Sequence, residues 1–441
     1  MASVRPLTGF PEWSPEERAV ELIVLDRVRA IFESFGYVSI ETRSVEPLDV
    51  LLKKGDTDKE IYVVKRLHAA ADDDSTLGLH YDLTVPLSRY VVQNRGQLCF
   101  PFKRYQIQKS WRGERPQAGR YREFYQADAD VIAEGSLPLH FDAEMAALAY
   151  EAVSALPVPP VTILINNRKV LEGFYRSLGV EDVAPVLRVV DKLDKIGAAE
   201  VAQGLVALGL STEDAARCLA LGEIRGSGED VVRRVRELNG RHPLLEEGLD
   251  ELFFVLRSLS SLPEQAVVAD LRIARGFDYY TGTVYEGVLR DAPESGTVCS
   301  GGRYDELASV GKLKLPGVGI SLGISRLLGR LFDQKRVGAT RKVPTCVLVT
   351  LPDEAQRPAC HGLARQLRAR GIATEVFHAP ARFGKQIDYA ATRGVPFVWF
   401  PSFEAGVPHR VKDIRSGEQV DADPESWAPP EADRYIRIRQ D

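Results

Sequence analysis

The segment Ser110-Trp111-Arg112-Gly113-Glu114-Arg115-Pro116-Gln117-Ala118-Gly119-Arg120-Tyr121-Arg122-Glu123-Phe124 is the richest in chemistry. Strand-like residues flank a Pro/Gly loop, so side chains from two antiparallel strands can converge on one ligand. The arginine fork matches phosphate oxygens. Phe124, on the returning strand, is placed to stack a base. The pattern suits a nucleotide polyphosphate; a solvated basic hairpin accounts for the arginine density alone equally well. Lys103 to Arg122 holds seven basic residues and one acid, Glu114, although the whole chain carries a net charge of −5. Local charge, not the total, bears on an anionic partner.

Three further stretches are weaker taken singly. Arg275-Gly276-Phe277-Asp278-Tyr279-Tyr280-Thr281-Gly282 combines a guanidinium, two tyrosines and a turn. Buried tyrosine hydroxyls need polar partners, yet a packed strand with core tyrosines reads as well. Ser300-Gly301-Gly302-Arg303-Tyr304-Asp305 alone is a turn. Gly317-Val318-Gly319-Ile320-Ser321-Leu322-Gly323 has GxGxxxG spacing, which is not the dinucleotide fingerprint. Its glycines could let backbone approach a ligand, with Arg326 opening the next helix. Histidines such as His68, His140 and His242 are scattered, and no Walker A, HExxH or GxSxG motif occurs. The five cysteines, at 99, 218, 299, 346 and 360, form no CxxC pair. That argues against a disulfide framework or a bound zinc and for a reducing cytoplasm.

The elements that must position these residues can be read from periodicity. A chain of 441 residues, 44% apolar and 27% charged, implies a soluble globular protein with more than one core. Its longest apolar stretch, Met145 to Ile165, is broken by Glu151 and three prolines, too soon for a membrane span. The N-terminus has no apolar region of the kind a secretory signal needs. Ser14-Pro15-Glu16-Glu17 starts a helix with a capping box. Val24, Val28, Ile31 and Phe35 continue it, and Gly36 ends it. Strand character follows over 37–45, 61–67, 77–81, 102–112 and 122–131, with a helix over 82–92. Hairpins with few helices predict an antiparallel sheet. Residues 170–262 read as a helical insertion. Strand character resumes over 268–288 and 317–322. After 330–342, a linker, strands at 346–351, 374–377 and 397–400 alternate with helices at 354–370 and 384–393. The chain is therefore an α+β protein with a separate C-terminal α/β domain.

In this order, the segments resemble those of histidyl-tRNA synthetases, a family of class II aminoacyl-tRNA synthetases. RGERPQAGRYREF is similar to motif 2, RGFDYYTGTVYE and SGGRYDEL to the two histidine-specific segments, and GVGISLGISRLL to motif 3. HYDLTVPLSRYV is similar to the substrate loop and helix, and FGKQIDYA with VKDIRSGEQ to the anticodon-binding domain. The resemblance implies an antiparallel catalytic sheet with flanking helices in two parts, 1–169 and 263–335. The helical insertion would be 170–262 and the anticodon-binding domain 343–441. It implies a cytoplasmic homodimer that joins L-histidine to tRNA(His) through a histidyl-adenylate, with ATP as substrate and Mg²⁺ as its companion. Arg112 and Arg275 would be catalytic, acting at the α-phosphate and the histidine carboxylate. Asp82, Leu83 and Thr84 would bind the amino group. Gln126, Asp130, Tyr279, Tyr280 and Tyr304 would form the imidazole pocket. Glu114 would read the adenine amino group, and Phe124 would stack the ring. Arg120, Arg122 and Arg326 would hold phosphates, and Arg115 and Gln117 would meet the tRNA acceptor end. Four residues depart from the family pattern: Ser325 and Asp130 stand where Glu is usual, His80 where Arg is usual, and Arg43 where motif 1 has proline. Two alternatives are a non-enzymatic paralogue, such as the regulatory subunit that partners ATP phosphoribosyltransferase, and a ligase for a different acceptor.

Overall fold

The computed structural model describes residues 5–52, 58–68, 76–117, 119–273 and 280–440. The chain forms two compact units. One comprises the residues up to Pro11 and Leu25–Arg330, and the other Glu12–Val24 with Leu331–Asp441.

A nine-stranded sheet builds the first unit. Its order is Val38–Ser39, Phe102–Trp111, Glu123–Ile132, Gly317–Gly323, Thr297–Tyr304, Thr283–Leu289, Val161–Asn167, Val267–Asp270 and Arg225–Gly226. All neighbours are antiparallel except Val38–Ser39 with Phe102–Trp111 and Val161–Asn167 with Val267–Asp270. The long hairpin falls where alternation places it, at Phe102–Trp111 and Glu123–Ile132. Its register fixes which polar side chains meet. Gln108 faces Gln126, Gln106 faces Asp128, and Arg104 faces Asp130. On the other side Gln126, Asp128 and Asp130 lie opposite Gly323, Ser321 and Gly319. Residues directly opposite share a face, so three polar rows cross one side of the sheet. The other side carries Ala127, Ala129 and Val131, all fully buried.

The first helix runs Pro15–Ser34. Its capping box is made: Glu17 Oε2 accepts from the Ser14 N–H at 2.8 Å and Ser14 Oγ from the Glu17 N–H at 3.3 Å. The buried stripe is Val24, Leu25, Val28 and Phe32, so Ile31 and Phe35 sit at its margin. Several expected strands are shorter. Residues 37–45 hold two separate pieces, Val38–Ser39 and Val45–Pro47. Residues 61–67 hold only an isolated bridge from Val63 to Gly78. Their apolar residues pack locally instead, Ile61 against Leu51, Tyr81 and Val85. Val161–Asn167 and the helix His140–Ser154 were illegible. The strand is buried at every position, which erases the alternation that marks a strand.

The insertion is helical as read: Ala184–Val190, Leu193–Ala207, Thr212–Gly222, Glu229–Glu237 and Pro243–Ser258. Two features correct the expectation. Arg225–Gly226 joins the edge of the main sheet, and the first helix of the region begins at Arg168. The helices Arg168–Ser177 and Pro243–Ser258 approach closely through glycine: a Cβ on Gly248 would lie 2.6 Å from the Val170 nitrogen.

In the second unit, five strands run in the order Thr374–Val376, Val347–Val349, Phe397–Phe400, His409–Asp413, Gln419–Ala422. The first three are parallel and the last two antiparallel. The helices Arg357–Ala369 and Phe383–Arg393 connect the parallel strands, as the alternation predicts. Trp399, Phe377 and Val398 fill the core. Val337–Ala339, inside the segment read as linker, pairs with Ile438–Gln440. No described helix is long and apolar enough to cross a membrane.

The glycine contact yields a test. Gly248→Ala forces a methyl onto backbone, and overpacking of this kind costs about 1–3 kcal/mol. Its thermal midpoint is expected to fall by about 2 °C or more. Gly362→Ala, in open space on a helix, is expected to raise or leave the midpoint unchanged. Equal behaviour of the two in calorimetry would refute the packing argument.

Candidate active site

Two of the three polar rows reach the floor of a cavity of about 740 Å³, through Gln126 with Gly323 and Asp128 with Ser321. Its lining includes Asp82, Thr84, Arg112, Glu114, Arg120, Phe124, Gln126, Tyr280 and Arg326, residues far apart in sequence that the fold brings together. A volume of this size suits a ligand larger than an amino acid alone.

The outer end is cationic. Arg112 leaves the tip of the Phe102–Trp111 strand. Its Nε donates to the Tyr81 carbonyl at 3.0 Å, and its guanidinium carbon lies 5.1 Å from the centre of the Phe124 ring. One edge of the fork is thereby tethered. Glu114 stands between two arginines, 3.7 Å from Arg112 Nη1 and 3.2 Å from Arg120 Nη1. Arg326, in the first turn of Ile324–Asp333, completes this end. Ser325 Oγ accepts from the Tyr125 N–H at 2.8 Å, so the serine found in place of the family's Glu ties the helix start to the hairpin.

The inner end is acidic and nearly dry. Asp82 is 4% exposed, and its Oδ1 accepts from the Val85 N–H at 3.0 Å at the start of the Thr84–Asn94 helix. Gln126 Nε2 donates to Ser321 Oγ at 2.9 Å. Gln126 Oε1 and Asp128 Oδ1 are buried and have no hydrogen-bond partner among the described residues. Burial is the largest influence on the Asp128 carboxyl; Asp130 and Asp82 add to it, Arg104 and the Ser321 hydroxyl oppose it, and the pKa is pushed up to about 7.

Several residues expected in the site make other contacts in the structure. Asp130 and Tyr304 do not line the cavity. Asp130 Oδ2 pairs with Arg104 Nη2 at 2.6 Å, and its Oδ1 accepts from the Tyr304 hydroxyl at 2.7 Å. Gly317 and Gly319 make room for this cluster rather than for a ligand: a Cβ on either would overlap the Tyr304 ring or the Asp130 carboxylate. Leu83 is fully buried, and its carbonyl accepts from Arg104 Nη2 at 3.3 Å. Arg122 is also absent from the lining; its Nε donates to the Glu114 carbonyl at 3.1 Å. Arg115 and Gln117 lie at the exposed hairpin tip. His80 is a buried core residue, its ring nitrogens 3.2 Å and 2.7 Å from the carbonyl oxygens of Arg43 and Lys109. Arg43 pairs with Glu46 at 2.8 Å. Arg275 and Tyr279 lie outside the described residues.

Sequence reasoning missed Asp128, Ser321, Glu286 and Thr297, and also Arg168, Arg188 and Lys192 at the insertion side of the cavity. Asp128 had a visible signal: it shares strand parity with Phe124, Gln126 and Asp130. The insertion cations had none, because only the tertiary fold turns those helices toward the sheet.

The Asp128 shift has a consequence for stability. Well below pH 4 the carboxyl is neutral in both folded and unfolded chains. As pH rises toward 7, the unfolded chain ionises it freely while the folded site resists, so stability falls across that interval. Asp128→Asn removes the opposition and is expected to raise the thermal midpoint at pH 8 by about 2 °C or more. The gain should shrink toward pH 5. A midpoint that drops at pH 8 would contradict this electrostatic account.

Comparisons with known proteins agree with this geometry. The family model described as histidyl-tRNA synthetase matches residues 9–327, and that described as anticodon binding domain matches 345–403. The histidine–tRNA ligase of Thermobifida fusca is 55% identical over 96% of this chain and 97% of its own. That of Micrococcus luteus is 52% identical over 99% of both. The crystal structure of histidyl-tRNA synthetase from Nostoc sp. PCC 7120 superposes with a TM-score of 0.87 at 34% identity, covering 96% of this chain and 97% of that one. An ATP phosphoribosyltransferase regulatory subunit/histidyl-tRNA synthetase from Bacillus halodurans C, at 23% identity and a TM-score of 0.72, shares the fold. With its catalytic sheet, its C-terminal anticodon-binding domain and full-length relatives of that kind, the chain belongs to the histidyl-tRNA synthetase family.

Proposed function

We propose that the cavity activates histidine with ATP and then passes the histidyl group to tRNA(His). The observation that carries this reading is the polarity of the one cavity. Arginines 112, 120 and 326 with Phe124 occupy one end, and Asp82, Gln126 and Asp128 the other; Gln126 Oε1 and Asp128 Oδ1 have no hydrogen-bond partner among the described residues. A polyphosphate and an adenine ring match the first end; an ammonium group and an N–H-bearing side chain match the second. The chain is a histidine–tRNA ligase in activity, as relatives about half identical over nearly its whole length support.

In the first step an oxygen of the histidine carboxylate attacks the α-phosphorus of ATP in line. The bond from that phosphorus to the β-phosphate oxygen breaks, and pyrophosphate leaves. No protein nucleophile is needed; the site must orient two anions and stabilise charge on phosphate oxygens. Arg112, held by the Tyr81 carbonyl, is pre-set to bridge the carboxylate and the α-phosphate. Arg326 and Arg120 hold the outer phosphates, and Phe124 offers a ring face to adenine. Asp82, Thr84 and Gln126 receive the amino group. Arg275 and Tyr279 keep the catalytic and pocket roles that the resemblance implies, as do Glu114 at the adenine edge and Arg115 and Gln117 at the tRNA end. Arg122 acts through the Glu114 loop.

Mg²⁺ binds with one or two carboxylates and substrate phosphates rather than in an all-protein cage. Glu286, which accepts from Thr297 Oγ1 at 2.9 Å at the cavity wall, fits that demand. The ion would neutralise phosphate charge. In the second step the terminal ribose hydroxyl of the tRNA attacks the adenylate carbonyl and AMP leaves. The C-terminal domain, matched by the anticodon-binding model, gives the tRNA its second contact. A cytoplasmic homodimer is the assembly that this class implies.

Histidine-dependent ATP–pyrophosphate exchange, followed by charging of tRNA(His), tests the reading. Both are expected. Exchange without charging would shift the acceptor to another molecule, and absence of exchange would refute the reading. Arg112→Gln is expected to slow exchange by about 100- to 1,000-fold, the usual effect of removing one donor to a developing anion. A loss below tenfold would remove Arg112 from the chemistry.

A further inference from the structure

We infer that His80 is a positioning residue for the first step: its imidazole staples residues 80–82 between two neighbouring segments and so sets the Tyr81 carbonyl that holds Arg112. The inference rests on the reading of the cavity as a site for histidine activation. It adds a residue that acts through Arg112 and does not itself line the cavity.

The need for a staple comes from the local structure. The strand Leu77–Leu79 ends just before His80, and the helix Thr84–Asn94 begins only after Leu83. Residues 80–83 therefore take their place from neither a ladder nor a helical turn, and their polar groups must be held otherwise. Two parts of the site depend on that placement. The Tyr81 carbonyl accepts from Arg112 Nε at 3.0 Å, and Asp82 lines the cavity.

His80 makes four contacts that hold this stretch. Its N–H donates to the Ser44 carbonyl at 3.0 Å, and its carbonyl accepts from the Trp111 N–H at 3.1 Å. In the ring, Nδ1 lies 3.2 Å from the Arg43 carbonyl oxygen and Nε2 2.7 Å from that of Lys109. Backbone and side chain thus reach the same two neighbours, Arg43–Ser44 on one side and the strand end at Lys109–Trp111 on the other. Any residue but proline can make the backbone pair; the ring contacts belong to the side chain. The chain that Nε2 grips at Lys109 runs on to Arg112 three residues later. The imidazole therefore ties together both partners of the Tyr81–Arg112 contact.

Both anchors are themselves fixed. Arg43 donates to Glu46 at 2.8 Å, and the fully buried Glu46 pairs with Arg89 of the Thr84–Asn94 helix at 2.6 Å. Lys109 stands in register with Tyr125 across the hairpin. His80 is 0% exposed, and its ring centre lies 5.4 Å from that of Trp111. Carbonyl oxygens only accept, so two of them call for two N–H donors. A neutral imidazole has one, an imidazolium two and a guanidinium five. Arginine can do the same work, whereas an apolar side chain of similar volume cannot.

Histidine-dependent pyrophosphate exchange with the full-length protein tests this, using His80→Leu and His80→Arg, and His80→Leu combined with Arg112→Gln. His80→Leu is expected to lower kcat by about tenfold to a hundredfold, the scale for a slightly misplaced catalytic group. On top of Arg112→Gln it is expected to cost less than about threefold more, because the group it positions is already gone. His80→Arg is expected to keep kcat within about tenfold of the unaltered protein. Three results would each overturn the inference: a loss below about tenfold in His80→Leu, a further loss above about threefold in the Arg112→Gln background, or a loss above about tenfold in His80→Arg. A residue that merely fills the core gives the second of these, an equal loss in both backgrounds. His80→Ala repeats the measurement should the leucine variant fold poorly. Absence of histidine-dependent exchange in the unaltered protein would overturn the functional reading and this inference with it, an outcome distinct from any variant result.

Discussion

Burying Arg104 completely beneath the polar rows of the sheet leaves its guanidinium no water, so carboxylates must meet it. Asp130 does so at 2.6 Å, and the Tyr304 hydroxyl fills the other oxygen of that carboxylate. The demands of this cluster run outward through the fold. Gly317 and Gly319 must lack side chains because Tyr304 and Asp130 lie across them. The register of three strands is thereby pinned, since a slip of one residue would turn every polar row to the opposite face. A second buried pair, Arg303 with Asp142 at 2.5 Å, joins the neighbouring strand to the His140–Ser154 helix. The sheet thus carries two ion pairs inside its core, Arg104 with Asp130 and Arg303 with Asp142.

Along one strand of the site the environment changes from half-exposed and cationic at Phe124 to buried and anionic at Asp128. Desolvation strengthens electrostatics at the inner end, where discrimination between small substrates is needed. Access to water remains at the outer end, where Arg112 and Phe124 are half-exposed and Arg120 is exposed. The Pro/Gly loop supplies Glu114 and Arg120, and the helix Ile324–Asp333 supplies Arg326 through a start fixed by Ser325. The departures from the family pattern are therefore absorbed structurally. Ser325 caps a strand amide, His80 bridges two carbonyls, and Arg43 joins the buried Glu46 in a network with Arg89.

Much was legible from residue types alone. The capping box at Ser14–Glu17, the hairpin around the arginine loop and the strand–helix alternation after residue 342 all depend on local chemistry, and local chemistry is what a sequence displays. The candidate phosphate end was equally plain, because Arg112, Arg120, Phe124 and Arg326 sit in segments of distinctive composition. What escaped had no local mark. Val161–Asn167 is buried at every position and has no alternation to show. Arg188 and Lys192 belong to helices whose facing depends on packing far away in sequence.

By itself the sequence determined the α+β class and the hairpin, since these follow from periodicity and turn chemistry, and it pointed to candidate side chains for a nucleotide and an amino acid. Only the tertiary structure separates the surroundings of the three same-face residues Gln126, Asp128 and Asp130. All three alternate identically along the strand. What separates them is the neighbour each finds across the sheet: Ser321 stands opposite Asp128, while Arg104, Tyr304 and the bare backbone of Gly319 close around Asp130. Those neighbours come from strands distant in the chain, and no spacing along a single strand encodes them.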